Sequence, residues 1–346
     1  MDTMTNYEPV ASLEPGSGGA RRDGKTERLT AGFVELSVSG QQVKIPAVAV
    51  CGQTVIANGS RLKTASVMDE EFLNGEIVGN PETFVRELRR SGLTCDVFTF
   101  AQKLPDISPK YPYRMEWDNF AVIPISTFSD WWENRIERDV RKAVKRAERL
   151  GVVVREAEFN DAFVEGIRQI YNESPVRQGS TFWHYQKDFE TVKRENSTFP
   201  DRSAYIGAYF EGELVGFIRM VYVDNIASTL QVISQKKHAD KKPTNALIAK
   251  AVEICEQRGL SHFVYASYVY NGQANSLTEF KRRNGFEQVL VPRYYVPMTL
   301  KGKVALSLGL HQPLVNRIPR SLLPYLRKIR SLLGKHKAQS PVTEAS

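Results

Sequence analysis

The stretch 235–244 carries four lysines and leads directly into a helix that is predicted to begin at Asn245. The lysines are Lys236, Lys237, Lys241 and Lys242. The first turn of a helix has unpaired N–H groups and a partial positive charge, and ammonium groups beside it could bind a diphosphate. This stretch is therefore a candidate phosphate-binding site, with an ordinary lysine-rich surface loop as the alternative.

A second concentration of polar and aromatic residues lies between Tyr171 and Tyr185, in a sequence that fits neither helix nor strand periodicity. His184 lies in it and could act as a general base, because the pKa of an unperturbed histidine is near neutrality. A histidine between aromatic neighbours such as Trp183 and Tyr185 is, however, more often packed and hydrogen-bonded than catalytic. No ordered set of Ser, His and Asp predicts a hydrolase triad.

The elements that must position these residues are concentrated between positions 203 and 286. Residues 203–210 and 214–222 alternate with a strand period around the turn Glu211-Gly212, which predicts a hairpin. A third strand at 228–234 precedes the basic loop. The helix from Asn245 ends near Gly259, and residues 262–266 are predicted to form a fourth strand.

This order of hairpin, strand, basic loop, helix and strand resembles the second half of the GNAT acyltransferase fold. Residues 271–286, which end in Gly285-Phe286, are similar to the late helix of that family, and 294–298 to its last strand. The resemblance implies an acyl-CoA donor, such as acetyl-CoA, and an amine acceptor. The donor-binding residues that it implies are Lys241, Lys242, Thr244, Asn245 and Lys281.

Two departures from the GNAT pattern are similar to FemAB-like transferases. Residues 240–244 read Asp-Lys-Lys-Pro-Thr and contain no glycine, the residue that lets backbone N–H groups approach phosphate closely. Phe280-Lys281 occupies the slot where many GNAT enzymes have a tyrosine acid. Lys281 is expected to neutralise a phosphate or a leaving group, with a solvated helix lysine as the alternative.

A basic helix is predicted from Ser129 to Gly151, with apolar residues at three- to four-residue spacing and Arg and Lys on the other faces. The run 138–154 resembles a signature of FemAB-like transferases, in which such a helix connects two GNAT-like halves. The alternative to a phosphate or tRNA contact is a solvated face supported by pairs such as Glu137 with Arg141.

The sequence therefore predicts an α+β fold with tandem GNAT-like halves, each a mixed, mainly antiparallel sheet flanked by helices. The first 28 residues contain almost no large apolar side chain and are predicted to be disordered. The predicted parts are the tail 1–28, the N-terminal half 29–128, the connecting helix 129–151, the C-terminal half 152–300 and the basic tail 301–346.

The resemblance also implies where the remaining site residues lie. Tyr268 and Tyr270 follow the fourth strand and are expected, with His184, to assist proton transfer, although half-buried packing tyrosines are the alternative. The acceptor would be bound in the loop before the hairpin and after the fourth strand. The implied acceptor residues are Glu173, Arg177, Tyr185 and Asn271.

The formal net charge of +8 is concentrated in the C-terminal tail. Residues 301–346 contain nine basic residues against Glu344 alone, so the first 300 residues balance at zero. A neutral body argues against DNA and against extensive contact with tRNA. Within the tail Leu322, Leu326, Ile329 and Leu333 share one helical face, which predicts either an anionic membrane surface as partner or docking on the protein's own core.

The three cysteines, Cys51, Cys95 and Cys255, are far apart, so neither a metal site nor a disulfide framework is predicted. The sequence shows no signal peptide and no membrane span, which indicates a cytoplasmic protein, peripheral to the inner face of the membrane if the tail binds lipid. We expect an N-acyltransferase that uses acyl-CoA to modify an amine of a small molecule or a cell-envelope precursor. The alternatives are an aminoacyl-tRNA-dependent aminoacyltransferase and a non-catalytic GNAT-fold binding module.

Overall fold

The computed structural model describes residues 7–8, 32–38, 41–177, 179–270 and 272–312. In the described part of the chain thirteen strands form one mixed sheet, and two short strands form a separate ribbon. The predicted tail 1–28, apart from residues 7–8, lies outside the described residues, and so does the apolar face of Leu322, Leu326, Ile329 and Leu333.

The N-terminal half forms an antiparallel run of strands that ends in a strand–helix–strand unit. Its strands are β1 (Tyr7–Glu8), β2 (Gly32–Val38), β3 (Gln41–Val50), β4 (Gln53–Asn58), β5 (Thr64–Val67), β6 (Val97–Ala101) and β7 (Arg114–Pro124). Helix α1 (Pro81–Arg90) joins β5 to β6. Its start follows the sequence signal, because the Asn80 side chain accepts a hydrogen bond from Thr83 N at 2.9 Å and Pro81 takes the first helical position.

The remaining elements follow the predicted order of hairpin, strand, helix and strand. The strands are β8 (Val153–Ala157), β9 (Val176–Arg177), β10 (Ser180–Thr181), β11 (Ser203–Phe210), β12 (Glu213–Val223), β13 (Ile226–Ser234), β14 (His262–Ser267) and β15 (Glu287–Pro297). The helices are α2 (Phe128–Asp130), α3 (Arg138–Arg149), α4 (Asp161–Asn172), α5 (Phe189–Asn196), α6 (Pro243–Gln257), α7 (Ser276–Arg283) and α8 (Leu300–Ser307).

The two halves have the same internal plan. In each, antiparallel strands lead to a strand that is joined by a helix to a parallel neighbour, β5 with β6 through α1 and β13 with β14 through α6. All other neighbouring strands in the described sheet are antiparallel. The predicted α+β fold with two GNAT-like halves is thereby confirmed.

The halves exchange their last strands. The sheet order is β1-β2-β3-β4-β5-β6-β15-β7-β14-β13-β12-β11-β8, so β15 of the C-terminal half pairs with β6, and β7 of the N-terminal half pairs with β14. A half without its partner would expose the backbone N–H and C=O groups of a central strand. The exchange therefore makes one continuous sheet of the two halves.

Both faces of the sheet in the C-terminal half are covered. Ile218 belongs to a core beneath α3 and α6, whereas the preceding residue of the strand, Phe217, belongs to a core beneath α4 and α5. Successive residues of a strand point to opposite faces. A ligand can therefore reach the centre of this half only where neighbouring strands part.

The predicted continuous helix from Ser129 to Gly151 is wrong, because the helix breaks in the middle. Residues Trp131–Arg135 form a π-helical turn after α2, and Ile136 is extended with φ −94 and ψ 150. Trp131 is buried and its indole Nε1 donates to Asn284 O at 3.1 Å. This anchor on another segment outweighs the local preference for a continuous helix.

Arg141 binds backbone carbonyl groups that the break in the helix leaves without their helical partners. Its guanidinium donates to the carbonyl oxygens of Trp132 at 2.8 Å and Ile136 at 2.9 Å. Glu137 pairs with Arg282 at 2.6 Å, and not with Arg141 as the helical spacing predicts. The charges of this segment therefore connect it to α7.

Candidate functional site

A cleft opens where β13 and β14 part. The two strands are hydrogen-bonded only from Ile226–Ser228 to His262–Val264. Beyond that point β14 bulges between Val264 and Ser267, with Ala266 at φ 45. The last six residues of β13 consequently lack a partner strand on that side, and only the three strands β12, β11 and β8 lie beyond β13 in the sheet.

The N-terminus of α6 lies at the end of this gap. The side chain of Ser234, the last residue of β13, is 2.7 Å from the Thr244 hydroxyl in the first turn of α6. Lys242 precedes the helix in a left-handed conformation with φ 59, and no side chain caps the helix. Helix-terminal amides without a cap are suited to bind an anion.

The predicted donor-binding lysines separate into two groups. Lys241 lies over the Phe210 ring at 4.7 Å and 3.6 Å from Asp240, and Lys237 pairs with Glu213 at 2.8 Å. Lys242 is exposed and has no ion-pair partner in the described part of the chain. Asn245 donates to Asn284 at 3.2 Å. Lys242 is thus the loop lysine best placed to reach a phosphate.

Lys281 is fully buried, in contrast to the predicted solvent or phosphate contact. Its Nζ donates to Ser267 O at 2.5 Å and lies over the rings of Tyr265 at 4.5 Å and Tyr270 at 4.8 Å. Desolvation lowers the pKa of Lys281 to about 7. The packing of α7 against β14 therefore places beside the gap a lysine amine that is much less basic than usual.

Of the two predicted catalytic tyrosines, Tyr270 lies next to Lys281. Burial, followed by the charge of Glu71, raises the pKa of Tyr270, so its hydroxyl keeps its proton at neutral pH. Tyr268 packs against the core beneath α6, and its N–H donates to Asn119 O at 3.2 Å. The structure therefore favours Tyr270 over Tyr268 as a proton donor.

Glu71, a residue of the N-terminal half, is close enough to Tyr270 for its charge to act on the Tyr270 hydroxyl. It lies in a 3₁₀ helix, Glu70–Phe72, and its side chain is exposed. Desolvation raises the pKa of Glu71 to about 7, and the nearby carboxylate of Glu70 adds to the shift. Sequence analysis missed this residue, because nothing in the local run Asp69-Glu70-Glu71-Phe72 distinguishes it from a surface acid.

A charge cluster fixes that 3₁₀ helix against the sheet. Arg293 of β15 contacts Glu70 and Asp118, each at 2.6 Å. Burial opposes the charge of Arg293, but the two carboxylates outweigh it and raise its pKa. Phe72 packs against Val221 of β12. Glu71 is therefore carried on a well-supported segment that crosses from one half to the other.

His184, the predicted general base, is placed inside the core and not in the gap. Its side chain is 4% exposed and its ring lies 3.6 Å from that of Trp183 and 4.2 Å from that of Tyr171. Burial, with the charges of Lys187 and Arg177, lowers the pKa of His184 well below its ordinary value. Gln231 Nε2 is 3.1 Å from His184 Nε2. These contacts support a packed, neutral histidine.

The predicted acceptor residues Glu173 and Arg177 are engaged in internal contacts. The Glu173 carboxylate accepts the backbone N–H groups of Lys236 and Lys237, each at 2.8 Å, and Arg177 donates to Ser234 O at 2.9 Å. The two side chains also pair at 3.2 Å. They position the end of β13 and the basic loop after it.

Two predicted acceptor residues give less information. Tyr185 is half-buried, and its N–H donates to Phe182 O at 2.9 Å. Asn271 lies outside the described residues. Within the described ranges, no group of three or more His, Cys, Asp or Glu residues could bind a metal ion.

The arrangement can support transfer of an acyl group across the gap. An uncapped helix end with Lys242 is on one side, and Glu71, an acid with a raised pKa, approaches from the other half. Lys281 lies over the ring of Tyr270, and the charge of Glu71 acts on the Tyr270 hydroxyl. Direct transfer to an amine requires a bound anionic donor, a proton acceptor for the amine and a proton donor for the leaving group, and these residue types meet all three needs.

Comparison with known proteins identifies part of the chain. Residues 164–286, which contain the gap and α6, match the acetyltransferase (GNAT) family. None of the curated proteins compared with the chain matches it.

Three solved structures have a similar fold. FemX has a TM-score of 0.52 at 9% identity over 80% of this chain and 90% of its own. L-PGS from Bacillus licheniformis has a TM-score of 0.51 at 16% identity over 76% of this chain and 88% of its own. The C-terminal domain (DUF2156) of a putative lysylphosphatidylglycerol synthetase from Agrobacterium fabrum has a TM-score of 0.51 at 13% identity over 76% of this chain and 87% of its own. At these identities the likeness shows a common fold.

Proposed function

We propose that the chain, whose residues 164–286 match the acetyltransferase (GNAT) family, is an N-acyltransferase that transfers an acyl group from acyl-CoA to an amine. The observation that carries this proposal is the gap between β13 and β14, at the end of which α6 begins directly after Lys242. On the β14 side Lys281 donates to Ser267 O and contacts Tyr270, on which the charge of Glu71 acts. The acceptor is an amine of a small molecule or of a cell-envelope precursor.

The donor site fits a diphosphate without the usual glycine. Lys242 adopts the left-handed conformation that a glycine would provide, and it turns the chain directly into α6 at Pro243. The first amides of α6 and the Lys242 ammonium would bind the phosphates of acyl-CoA, whose thioester supplies the activated carbonyl.

In the proposed mechanism Glu71 and Tyr270 divide the proton transfers. Glu71 takes the proton of the amine as its nitrogen bonds to the carbonyl carbon, and Tyr270 gives a proton to the sulfur as the carbon–sulfur bond breaks. The proton on Glu71 then returns to Tyr270 through solvent. The Lys281 ammonium beside Tyr270 stabilises the negative charge that develops at the leaving group.

A second candidate donor, an aminoacyl-tRNA, is favoured by one feature of α3. Arg138, Lys142, Lys145 and Arg149 are exposed, and their spacing places them on one face of the helix. Among the described residues only Lys142 of these four has an ion-pair partner, Asp139 at 3.3 Å. Such a stripe, next to the basic loop, could bind backbone phosphates.

Donor binding tests the proposal most directly. We expect acetyl-CoA and desulfo-CoA to bind saturably in calorimetric titrations, and Lys242→Ala to weaken both about tenfold through loss of a phosphate contact. Lys237→Ala is the matched control, because Lys237 lies in the same loop but pairs with Glu213. Absence of binding at millimolar ligand would contradict the acyl-CoA donor. If tRNA binds in that case, the second candidate donor is supported. If neither CoA nor tRNA binds, a GNAT-fold binding module without catalysis is supported.

The proton-acceptor role of Glu71 predicts a pH dependence. Because a carboxyl with a pKa of about 7 accepts a proton only when ionised, acetyl transfer to a panel of primary amines should rise as the pH increases towards 7. Above pH 7 the rate should fall again, because Lys281, whose pKa is also about 7, loses the proton with which it stabilises the leaving group. Glu71→Gln should lower the rate about 100-fold and remove this rise. Glu82→Gln, an exposed acid in the first turn of α1, should leave the profile unchanged. An unaltered profile in Glu71→Gln would exclude this residue as the base.

We further propose that the protein works in the cytoplasm and contacts the inner face of the membrane through its basic tail. The net charge of +8 in residues 301–346 supports this location. In the described part of the chain no helix is both long enough and apolar enough to cross a bilayer.

A further inference from the structure

A cavity of about 260 Å³ lies next to the segment that carries Glu71. One wall is formed by residues 75–78, which follow that segment, and another by residues 100–106 at the end of β6. Asp224, in the turn between β12 and β13, lines the cavity from the C-terminal half. This volume is that of about eight or nine water molecules in the liquid, so the cavity has room for a small organic group.

Hydrogen bonds fix the walls of the cavity. Gln102 is buried, and its amide donates to two backbone carbonyl groups of the loop after β6, at 2.9 Å and 3.0 Å. The Tyr111 hydroxyl donates to Glu76 at 2.7 Å. Both carboxylate oxygens of Asp224 accept Gly75 N, each at 2.9 Å. These contacts connect separate segments of the chain, so the fold itself determines the shape of the cavity.

The exposed charges around the cavity already have partners. Lys110 contacts Asp106 at 2.5 Å and Glu76 at 3.8 Å. Asp224 is bound by the backbone N–H of Gly75. Three of these four charged side chains are acids, but all four are exposed and water screens their charges. They therefore contribute little to the selectivity of the cavity.

Lys103 is the charged residue of the lining that differs. Its side chain is half-buried, and its Nζ donates to Leu73 O. An ammonium group has three N–H donors, and Lys103 has no ion-pair partner among the described residues, because Asp224 and Glu70 act on it only at longer range. Burial lowers the pKa of Lys103, since the charged form loses part of its hydration. An anionic group in the cavity would supply the missing partner.

The cavity is adjacent to the proposed proton acceptor, Glu71. Leu73, whose carbonyl binds Lys103, comes two residues after Glu71, and two residues span at most about 7 Å. Ala101, in the wall of the cavity, donates its N–H to Glu70 at 3.3 Å. One small molecule with two polar ends can therefore contact Glu71 and Lys103 together.

We propose that the acceptor carries a carboxylate, which Lys103 binds in this cavity while the acceptor amine lies at Glu71. A single ammonium group balances one negative charge, which fits a carboxylate better than the roughly two charges of a phosphate group. The substrate class is thus an amino carboxylate, such as an amino acid or a short peptide. This assignment deepens the acyltransferase function proposed above and rests on it.

Matched acceptors test the assignment. Amino carboxylates from glycine to 6-aminohexanoate are compared with the alkylamines that lack only the carboxylate. In the chain of best length the carboxylate should raise kcat/KM about tenfold, which corresponds to one hydrogen bond between charged groups. Lys103→Met should lose this preference, whatever its rate with the alkylamine, and Lys103→Arg should keep it, because the positive charge remains.

The control is Lys193→Met, which removes an exposed ammonium group outside the cavity lining that pairs with Asp161 at 2.8 Å. This variant should show the wild-type preference. Equal kcat/KM for both members of every pair in the wild type would overturn the proposal. So would a preference that persists in Lys103→Met, because Lys103 would then have a purely structural role.

Calorimetric titration separates failure of this proposal from failure of the acyltransferase function. Hexanoate, which has no amine, should bind the wild type saturably, and hexanol far more weakly. Lys103→Met should bind hexanoate about tenfold more weakly. If hexanoate binds in this way but no amine is acetylated, the acyltransferase function is wrong and the carboxylate site stands. If amines are acetylated but hexanoate does not bind, the carboxylate site is wrong.

Discussion

The Lys281→Met variant is expected to fold normally and to lose about 100-fold of its acetyl-transfer rate, because the ammonium beside Tyr270 no longer stabilises the leaving group. The side chain is buried, and methionine fills a similar volume without a charge. Transfer should be measured as thiol release from acetyl-CoA with a panel of amines. Lys250→Met, at a half-exposed lysine of α6 that pairs with Glu253, is the control and should retain the wild-type rate.

The same variant predicts a pH dependence of stability. Folding lowers the pKa of Lys281 to about 7, whereas an unfolded lysine titrates near 10.4. Between these values the unfolded chain binds a proton that the folded chain lacks, so this residue makes folding more favourable as the pH rises. Relative to Lys281→Met, the wild type should gain about 2 kcal/mol of unfolding free energy between pH 7 and pH 9.

Denaturant unfolding at several pH values measures this difference. Other titrating groups act equally in both proteins, so they cancel when the two unfolding free energies are subtracted. A difference that does not change between pH 7 and pH 9 would show that Lys281 keeps an ordinary pKa. Lys281 would then stay an ammonium over this whole range, and the acetyl-transfer rate should not fall above pH 7.

Arg293→Met is expected to lower the free energy of unfolding by about 3 kcal/mol, because it leaves the carboxylates of Glu70 and Asp118 together without their cation. Both are 2.6 Å from the guanidinium, whose side chain is only 20% exposed. The 3₁₀ helix that carries Glu71 should also loosen, since Glu70 is its attachment to β15. Acetyl transfer should therefore fall together with stability.

Arg282→Met is the matched control for charge removal. Arg282 also contacts two carboxylates, those of Glu137 at 2.6 Å and Glu279 at 2.9 Å, but its side chain is exposed. Water screens such pairs, so the loss should be much smaller than that of Arg293→Met. Equal losses for the two variants in urea unfolding, followed by tryptophan fluorescence, would contradict the special weight given to the Arg293 cluster.

Local signals predicted most elements of the C-terminal half. The alternating strands around Glu211-Gly212 and the strand before the basic loop are present in the structure, and α6 is present with its start at Pro243. The basic loop differs, since Lys236–Lys241 form a 3₁₀ helix whose first amides bind Glu173. That contact joins residues more than sixty positions apart, and no local pattern contains it.

The site was predictable only in part. The sequence points to Lys242 and Tyr270 as candidates, because each follows or precedes an element with a clear pattern. His184 has the chemistry of a base, but the aromatic rings of Tyr171 and Trp183 enclose it. Glu71 lies far from all of them in the sequence, and it reaches the gap only because Arg293 and Glu70 attach its segment to the exchanged strand β15.

The sequence by itself determined the order of strands and helices, the neutral body and the basic tail, because hydrophobic periodicity, turn residues and charge act over a few neighbouring residues. Only the tertiary structure decided that β7 and β15 are exchanged, that Lys281 is buried beside Tyr270, and that Glu71 approaches from the other half. These features depend on which faces pack together across the sheet. Burial and long-range charge then set the pKa values that determine the chemistry.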